Sequence, residues 1–456
     1  MSPPASASTD HRTTGSPRVF IGPVNVASYY SGLTAGLREL GVDAELVLLA
    51  KDQRARSLPG TQRSRVLNLL DWCVDRVYGL EPCHRLVKAL ATALFPLVRM
   101  ITFVWCLTRF DVFVFGAAKG FFSLYELPLL KLLGKRLIFV FNGSESRPAY
   151  IGKWANDVDD EKVLSKAIRR GGRQKRRIQW IERFADICIS HPPQAHFHEK
   201  PFVDHCAIGH PVVLSESASQ SLNPPQREHS KVRILHAPSV LGPKGTSGIR
   251  KVISTLKAES LPIDYVELSG RPNHEVIDEL QRCDFVIDQL YSDIPLAGFA
   301  TEAAFFGKPA AVGGYAHETL RSFYGSSQLP VETYVRPEDI ESLVRRLITD
   351  SDFRQKCGKK SGSFVRNSWN AKAVASQFLR VINGTIPDAW WVTPADLRYL
   401  HGFGETEKVR RAFLRRVLET EGRSALKLSD KPELEQLFVD FASAAECQAQ
   451  ERQAAA

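Results

Sequence analysis

The sequence predicts a two-domain α/β protein, and three observations carry that expectation. The chain has 456 residues, more than a single hydrophobic core usually serves. Short apolar runs bounded by Gly and Pro alternate with stretches of helical period along most of its length. The alternation occurs twice, on either side of a Ser/Asn/Pro-rich stretch at residues 215–225. Strands that alternate with helices form parallel sheets, and such sheets take ligands at the carboxyl ends of their strands.

Taken in order, residues 1–17 are rich in Ser, Pro and Thr, lack the apolar core of a signal peptide, and read as a disordered lead-in. The N-terminal domain is expected over 18–214. Arg18 to Gly22 reads as a buried strand, Tyr29 to Leu40 as a helix closed by Gly41, and Ala44 to Leu49 as the next strand. This βαβ unit has a phosphate-sized loop without the full dinucleotide glycine pattern. Residues 52–109 read as a helical insertion. Within it, Ala89 to Thr108 holds one charge, Arg99, in 20 residues. That length would just cross a bilayer. A span here would cut the first strands from their sheet and place an Arg in lipid. A buried or membrane-surface helix is therefore expected, with Lys88, Arg99 and Arg109 reaching outward and Phe95, Phe103 and Trp105 lying lower. Strands at 111–115, 136–141 and 185–190, a helix at 124–133 and a basic helix pair at 162–184 complete the domain.

After a linker at 215–230, the C-terminal domain is expected over 231–385. Its strands fall at 232–237, 264–268, 284–288 and 310–312, and its helices near 246–258, 273–281, 299–306 and 316–324. Residues 386–456 read as a separate helical extension. No solenoid repeat is visible.

Formal net charge is +10 and the isoelectric point about 9.2, which favours an anionic partner. Seven cations fall in twelve residues between Lys166 and Arg177. No aromatics are interleaved for base stacking, so nucleic acid is not expected; a solvated face comes first and anionic lipid second. The eight cysteines show no CxxC spacing, which suits reduced thiols in a cytoplasmic protein. His191, His196, His198, His205 and His210 lie within 20 residues. No Cys or acid at ligand spacing closes a site around them, so ordinary loop histidines and no metal are expected.

The run from Val232 to Gly314 holds the chemistry. Lys244-Gly245-Thr246 ends the loop after the domain's first strand. Lys244 supplies a point charge and Gly245 lets the backbone approach a phosphate. Gly298, Phe299, Ala300 and Thr301 open a helix whose N–H groups can face an anion. Taken singly, a Lys-Gly turn is common and Glu302 fits a surface acid near a helix start. Their order and spacing together point to a nucleotide-diphosphate site.

His236-Ala237-Pro238-Ser239, Lys244-Gly245-Thr246, Asp288-Gln289 and Glu302-Ala303 followed by Gly307-Lys308-Pro309 resemble the retaining glycosyltransferases of family 4, with their C-terminal group-1 domain. In the first half, Gly22-Pro23-Val24-Asn25 and Asn142-Gly143-Ser144-Glu145-Ser146-Arg147 look like members acting on bacterial cell-surface polysaccharides. The resemblance covers about residues 17–385. It implies the GT-B architecture, two Rossmann-like domains facing a central crevice, here with a helical C-terminal tail. It implies catalytic roles for Lys244 and Glu302, and donor-binding roles for Gly245, Thr246, Asp288, Gly298, Phe299, Ala300 and Thr301. Acceptor- or sugar-facing roles follow for Gly22, Asn25, Asn142, Glu145 and Arg147. By the same resemblance the enzyme needs neither metal nor cofactor beyond its nucleotide-sugar donor, and the leaving phosphate takes the acceptor proton. The partners implied are a nucleotide sugar, a glycan or lipid-linked acceptor and an anionic membrane surface, with the protein cytoplasmic or peripheral on the cytoplasmic face.

Two positions depart from the family. Ile294 stands where the first acid of its E-x7-E motif belongs, with Asp293 adjacent. Ser239 stands where it carries an Arg five residues before the Lys, leaving Arg250 or Arg271 as other cations. These departures keep two other expectations open: a non-catalytic scaffold that binds a sugar nucleotide or partner enzyme, and a sugar-nucleotide epimerase.

Overall fold

A computed structural model describes residues 16–49, 85–152, 160–212, 231–324 and 329–454. The proposed linker, the first part of the insertion and the N-terminal lead-in up to residue 15 lie outside these ranges. Two sheets organise the molecule. The first is built from β1 (Val19–Gly22), β2 (Ala44–Leu46), β3 (Val112–Gly116), β4 (Arg136–Val140), β5 (Ile187–Ser190), β6 (Phe202–Asp204) and β12 (Trp391–Val392). Its seven strands run in the order β12-β6-β5-β4-β3-β1-β2. The second is built from β7 (Val232–His236), β8 (Ile263–Glu267), β9 (Phe285–Gln289), β10 (Ala310–Gly313) and β11 (Tyr334–Val335). Its five strands run in the order β11-β10-β9-β7-β8. Among the described residues all strand pairings are parallel except β12 with β6. This is the α/β class that the alternation predicts.

Alternation within each strand assigns the faces. In the first sheet Phe20, Phe113, Phe115 and Phe139 point to one side, and Val19, Ile21, Val112, Val114, Ile138 and Val140 to the other. The rings meet across strands, with Phe20 and Phe113 centroids 5.1 Å apart and Phe115 and Phe139 5.0 Å apart. The branched side packs on helices Tyr29–Glu39 and Ala371–Asn383. Gly36 makes that contact possible, because a Cβ there would lie 2.0 Å from the Ala371 carbonyl oxygen. The second domain thus sends its last long helix back onto the first.

Several elements differ from the sequence reading: β2 stops at Leu46, β11 was not expected, and three others change the picture more. Residues 161–184 form one helix, not a pair. Leu164, Ala167, Ile168, Gly171, Gln174, Ile178 and Ile181 are buried at helical spacing straight through Gly171-Gly172, so packing holds the glycines in the helix. β6 gave too short a pattern to be read. The tail does not stand apart. β12 adds an edge to the first sheet, and Phe413, Leu414, Val417 and Phe438 enter the phenylalanine-side core. Arg410, fully buried, donates to the carbonyls of Tyr150, Gly152, His401 and Phe403 at 2.8–3.3 Å.

Helix Arg85–Arg109 covers the same core through Phe103 and Cys106. Its opposite face exposes Leu97, Met100, Ile101 and Val104. Among the described residues no helix is long and apolar enough to cross a membrane.

Candidate active site

The carboxyl ends of the two sheets face each other. Gly298, opening helix Gly298–Phe305 of the second domain, sits where a Cβ would lie 3.7 Å from Ala27 Cβ and 4.0 Å from His210 Nε2 of the first. Arg147 and Gln194 of the first domain both donate to Asp293 of the second, at 2.6 and 3.1 Å. The facing loops therefore touch at these residues.

On the second-domain side, β7 delivers His236 and the loop to Lys244. The Lys244 ammonium lies 2.8 Å from Asp288 Oδ1 at the end of β9. Its side chain is 18% exposed, while that of Asp288 is 1% exposed. Asp288 Oδ2 is buried and meets no donor among the described residues. Gly245 takes a left-handed conformation, φ 72°, and a Cβ on it would meet Leu290 at 2.8 Å, so glycine is required there on two counts. Thr246 starts helix Thr246–Ala258. Burial pushes the His236 pKa down, so the ring is neutral. Its Nδ1 lies 2.8 Å from the Ile287 carbonyl and must donate to it. Its Nε2, 2.9 Å from Thr246 Oγ1, is then the acceptor of the hydroxyl proton. This bridge fixes β7, β9 and the helix start as one unit behind the lysine.

Helix Gly298–Phe305 has no side-chain cap at Ala297. Its first backbone bond to Ala297 comes from Thr301, and the Thr301 hydroxyl turns back to Leu296 and Ala297 carbonyls. Ala300 and Thr301 are fully buried, and Phe299 and Glu302 are half-buried, Glu302 as the fifth residue of the helix. Of the other cations, Arg250 pairs with Glu267 at 2.6 Å, and Arg271 lies 3.8 Å from Glu275.

On the first-domain side the predicted residues are spent on the fold to a greater degree. A Cβ on Gly22 would lie 2.2 Å from the Val47 carbonyl, so this glycine serves a close strand approach. Asn25 is buried; its Oδ1 accepts the Ser31 N–H and its amide donates to Ser31 Oγ, so both ends are engaged at the start of helix Tyr29–Glu39. Glu145 accepts the N–H groups of Asn142 and Gly143, and burial pushes its carboxyl pKa up. Asn142 takes the Tyr30 hydroxyl and approaches His205 Nε2 at 3.5 Å. Arg147 is buried against Asp293, with its guanidinium 4.9 Å from the Phe403 ring centroid. Ser144, Arg147, Gln174 and Phe403 line a cavity of about 200 Å³.

Sequence reading missed Asp293 as the partner of Arg147, because 146 residues separate the two. It also missed the tail's part in the site: Phe403 and Gly404 N–H groups bond the carbonyls of Ile151 and Tyr291, one in each domain. Of the clustered histidines, His191, His196, His198 and His205 are buried, and His198 donates to Glu182 at 2.9 Å.

No family model and no curated protein matches the sequence. Solved structures overlap it loosely. A glycosyltransferase from Rickettsia africae is 10% identical, with 82% of this chain and 99% of that one covered and a TM-score of 0.45. Anabaena Alr3699/HepE in complex with UDP-glucose is 11% identical over 80% and 99%, with a TM-score of 0.44. S. aureus MnaA with UDP is 12% identical over 81% and 97%, with a TM-score of 0.41. Overlaps this loose carry no residue from one chain to the other.

Proposed function

We propose that the protein transfers a sugar from a nucleotide-diphosphate donor to a glycan or lipid-linked acceptor in the gap between its two sheets. One observation carries the reading. At the end of β9, a partly exposed ammonium lies beside a buried carboxylate whose second oxygen meets no donor among the described residues. A pyrophosphate would take the ammonium, and a ribose or sugar hydroxyl would donate to the unmet oxygen. The start of helix Gly298–Phe305, without a side-chain cap, would add backbone N–H groups for an anion in the same gap. As the bond to the sugar breaks, charge grows on the phosphate, and these groups stabilise it more than the ground state. Glu302 is the acid assigned to the ribose. A retaining course in which the leaving phosphate takes the acceptor proton requires no pair of free carboxylates and no metal.

A lipid-linked acceptor is favoured by the first domain's surface. Leu97, Met100, Ile101 and Val104 form one exposed stripe at helical spacing, and Tyr125, Leu129, Leu132 and Leu133 are exposed beyond it. Helix Glu161–Phe184, tied to Leu124 by Trp180, exposes Arg169, Arg173, Arg176, Arg177 and Arg183. An exposed apolar stripe and exposed arginines on the same domain fit peripheral contact with an anionic membrane on the cytoplasmic face.

A non-catalytic scaffold is the second reading. Lys244 is neutralised by Asp288, Asp293 is held by Arg147, and Ile294 offers no acid. Purified protein incubated with a panel of sugar nucleotides separates the readings. Slow hydrolysis or transfer is expected, and Lys244→Ala should abolish it with the fold intact. A thermal shift without turnover favours the scaffold, and an isomerised donor an epimerase. Undiminished turnover in Lys244→Ala removes the phosphate from the place assigned to it.

A further inference from the structure

Two neighbouring strands of the first sheet end in side chains of a different chemistry. Ser190, the last residue of β5, pairs in register with Asp204, the last of β6. That register places His191, one residue past β5, beside Asp204 and Cys206. His191 Nδ1 lies 3.5 Å from Cys206 Sγ. One ligand atom from each of His191, Asp204 and Cys206 lies within 4.8 Å of the others, and all three residues are buried. Asp204 Oδ1 accepts the backbone N–H of Cys206 at 2.9 Å, which fixes the carboxylate next to that residue. The His205 ring stacks on His191 at 4.1 Å and Tyr29 packs on His205 at 5.0 Å, so packing also holds the imidazole.

We propose that His191, Asp204 and Cys206 bind a divalent zinc-type cation. Zinc takes nitrogen and sulfur ligands at about 2.0–2.1 and 2.3 Å in a tetrahedron, which sets the two ligand atoms about 3.5 Å apart. The Nδ1–Sγ separation already meets that requirement. A thiolate with an imidazole suits zinc and disfavours magnesium or calcium, which take oxygen ligands. One thiolate and one carboxylate cancel the charge of a divalent ion, leaving a neutral centre in a place where an unbalanced charge would be costly. Binding replaces the Cys206 S–H bond by a sulfur–metal bond and releases one proton to solvent, with no electron transferred. Three protein ligands leave a fourth tetrahedral position for water or a ligand oxygen. The site lies at the ends of β5 and β6 of the first sheet, whereas Lys244 follows β7 of the second, and it does not rest on the glycosyl-transfer reading.

The short step from Asp204 to Cys206 hid this cluster from sequence reading: an acid and a thiol two residues apart match no zinc spacing until β5 brings a histidine alongside.

Cobalt(II) is the probe. Full-length protein stripped with a chelator and titrated with Co²⁺ should show one saturable equivalent. Its spectrum should hold tetrahedral visible bands and a thiolate-to-cobalt charge-transfer band, and zinc should displace both. Cys206→Ala should lose the charge-transfer band, and His191→Ala should lose saturation at one equivalent. Cys206→Ser preserves volume and keeps the comparison valid if the alanine variant unfolds, as judged by circular dichroism. The absence of a saturable band in the wild type overturns the proposal. So does a charge-transfer band that survives in folded Cys206→Ala or Cys206→Ser, since the thiolate would then be another cysteine.

Discussion

The two walls of the interdomain gap are built by different means. The wall from the second sheet is local. Its lysine, glycine and helix start come from loops directly after β7 and β9, and one histidine bridge ties them together. The wall from the first sheet is assembled at long range. Arg147 meets Asp293, His196 donates to the Tyr399 carbonyl at 2.6 Å, and Arg410 reaches across to Tyr150 and Gly152. The difference teaches where each wall is vulnerable. Damage to the second wall should alter chemistry and leave stability, whereas damage to the first should alter stability as well.

The largest effect is expected at Arg410. Its guanidinium is fully buried and bonds the carbonyls of four residues, and burial pulls its pKa down to about 10. Arg410→Ala leaves those carbonyls unmet and should cost about 3–5 kcal/mol. Urea denaturation checks this, and a loss under about 1 kcal/mol would mean that water replaces the guanidinium and the tail is not what braces this wall.

Next comes the pair joining the walls. Arg147→Ala strands the Asp293 carboxylate in a buried position and should cost about 3–5 kcal/mol. Arg147→Ala combined with Asp293→Asn should recover part of that loss, since the stranded charge is gone. Additive losses in the four-member cycle would show that the two residues do not act together.

A smaller effect concerns acid. Burial lowers the pKa of His196 to about 4 from 6.5. The unfolded chain therefore binds the proton first as pH falls. The stability that His196 contributes is complete above about pH 6.5 and declines as pH falls toward 4. His196→Gln should flatten the stability profile across that interval relative to the parent. An unchanged slope would show that other groups set it.

The smallest effect is expected at Arg18, whose pair with Asp111 at 2.8 Å is more than two-fifths exposed on both sides. Arg18→Ala should cost no more than about 1 kcal/mol, and less in high salt. A larger, salt-independent loss would make β1 depend on this pair as the gap depends on Arg147.

The strands were legible because continuous apolar runs of strand length, bounded by Gly or Pro, suit a parallel sheet buried on both faces. β1, β3, β4, β7, β9 and β10 fall within one or two residues of their sequence-based positions. The position of the Lys244-Gly245 loop between β7 and helix Thr246–Ala258 was legible for a related reason, since a Gly at the end of a loop marks the helix start that follows. The contacts of Gly22 and Asn25 were not, because a close approach to Val47 and a bond to Ser31 leave no mark in the sequence that separates them from a ligand loop.

The sequence by itself determined the parallel α/β class, the positions of most of the longer strands and the loop that carries Lys244, since each depends on residues within a few positions of one another. Only the tertiary structure decided that the tail joins the first sheet, that Arg147 closes on Asp293, and that His191 lies beside Cys206. Those contacts bring together residues far apart along the chain, and the free energy that selects them comes from burying surfaces that no local pattern records.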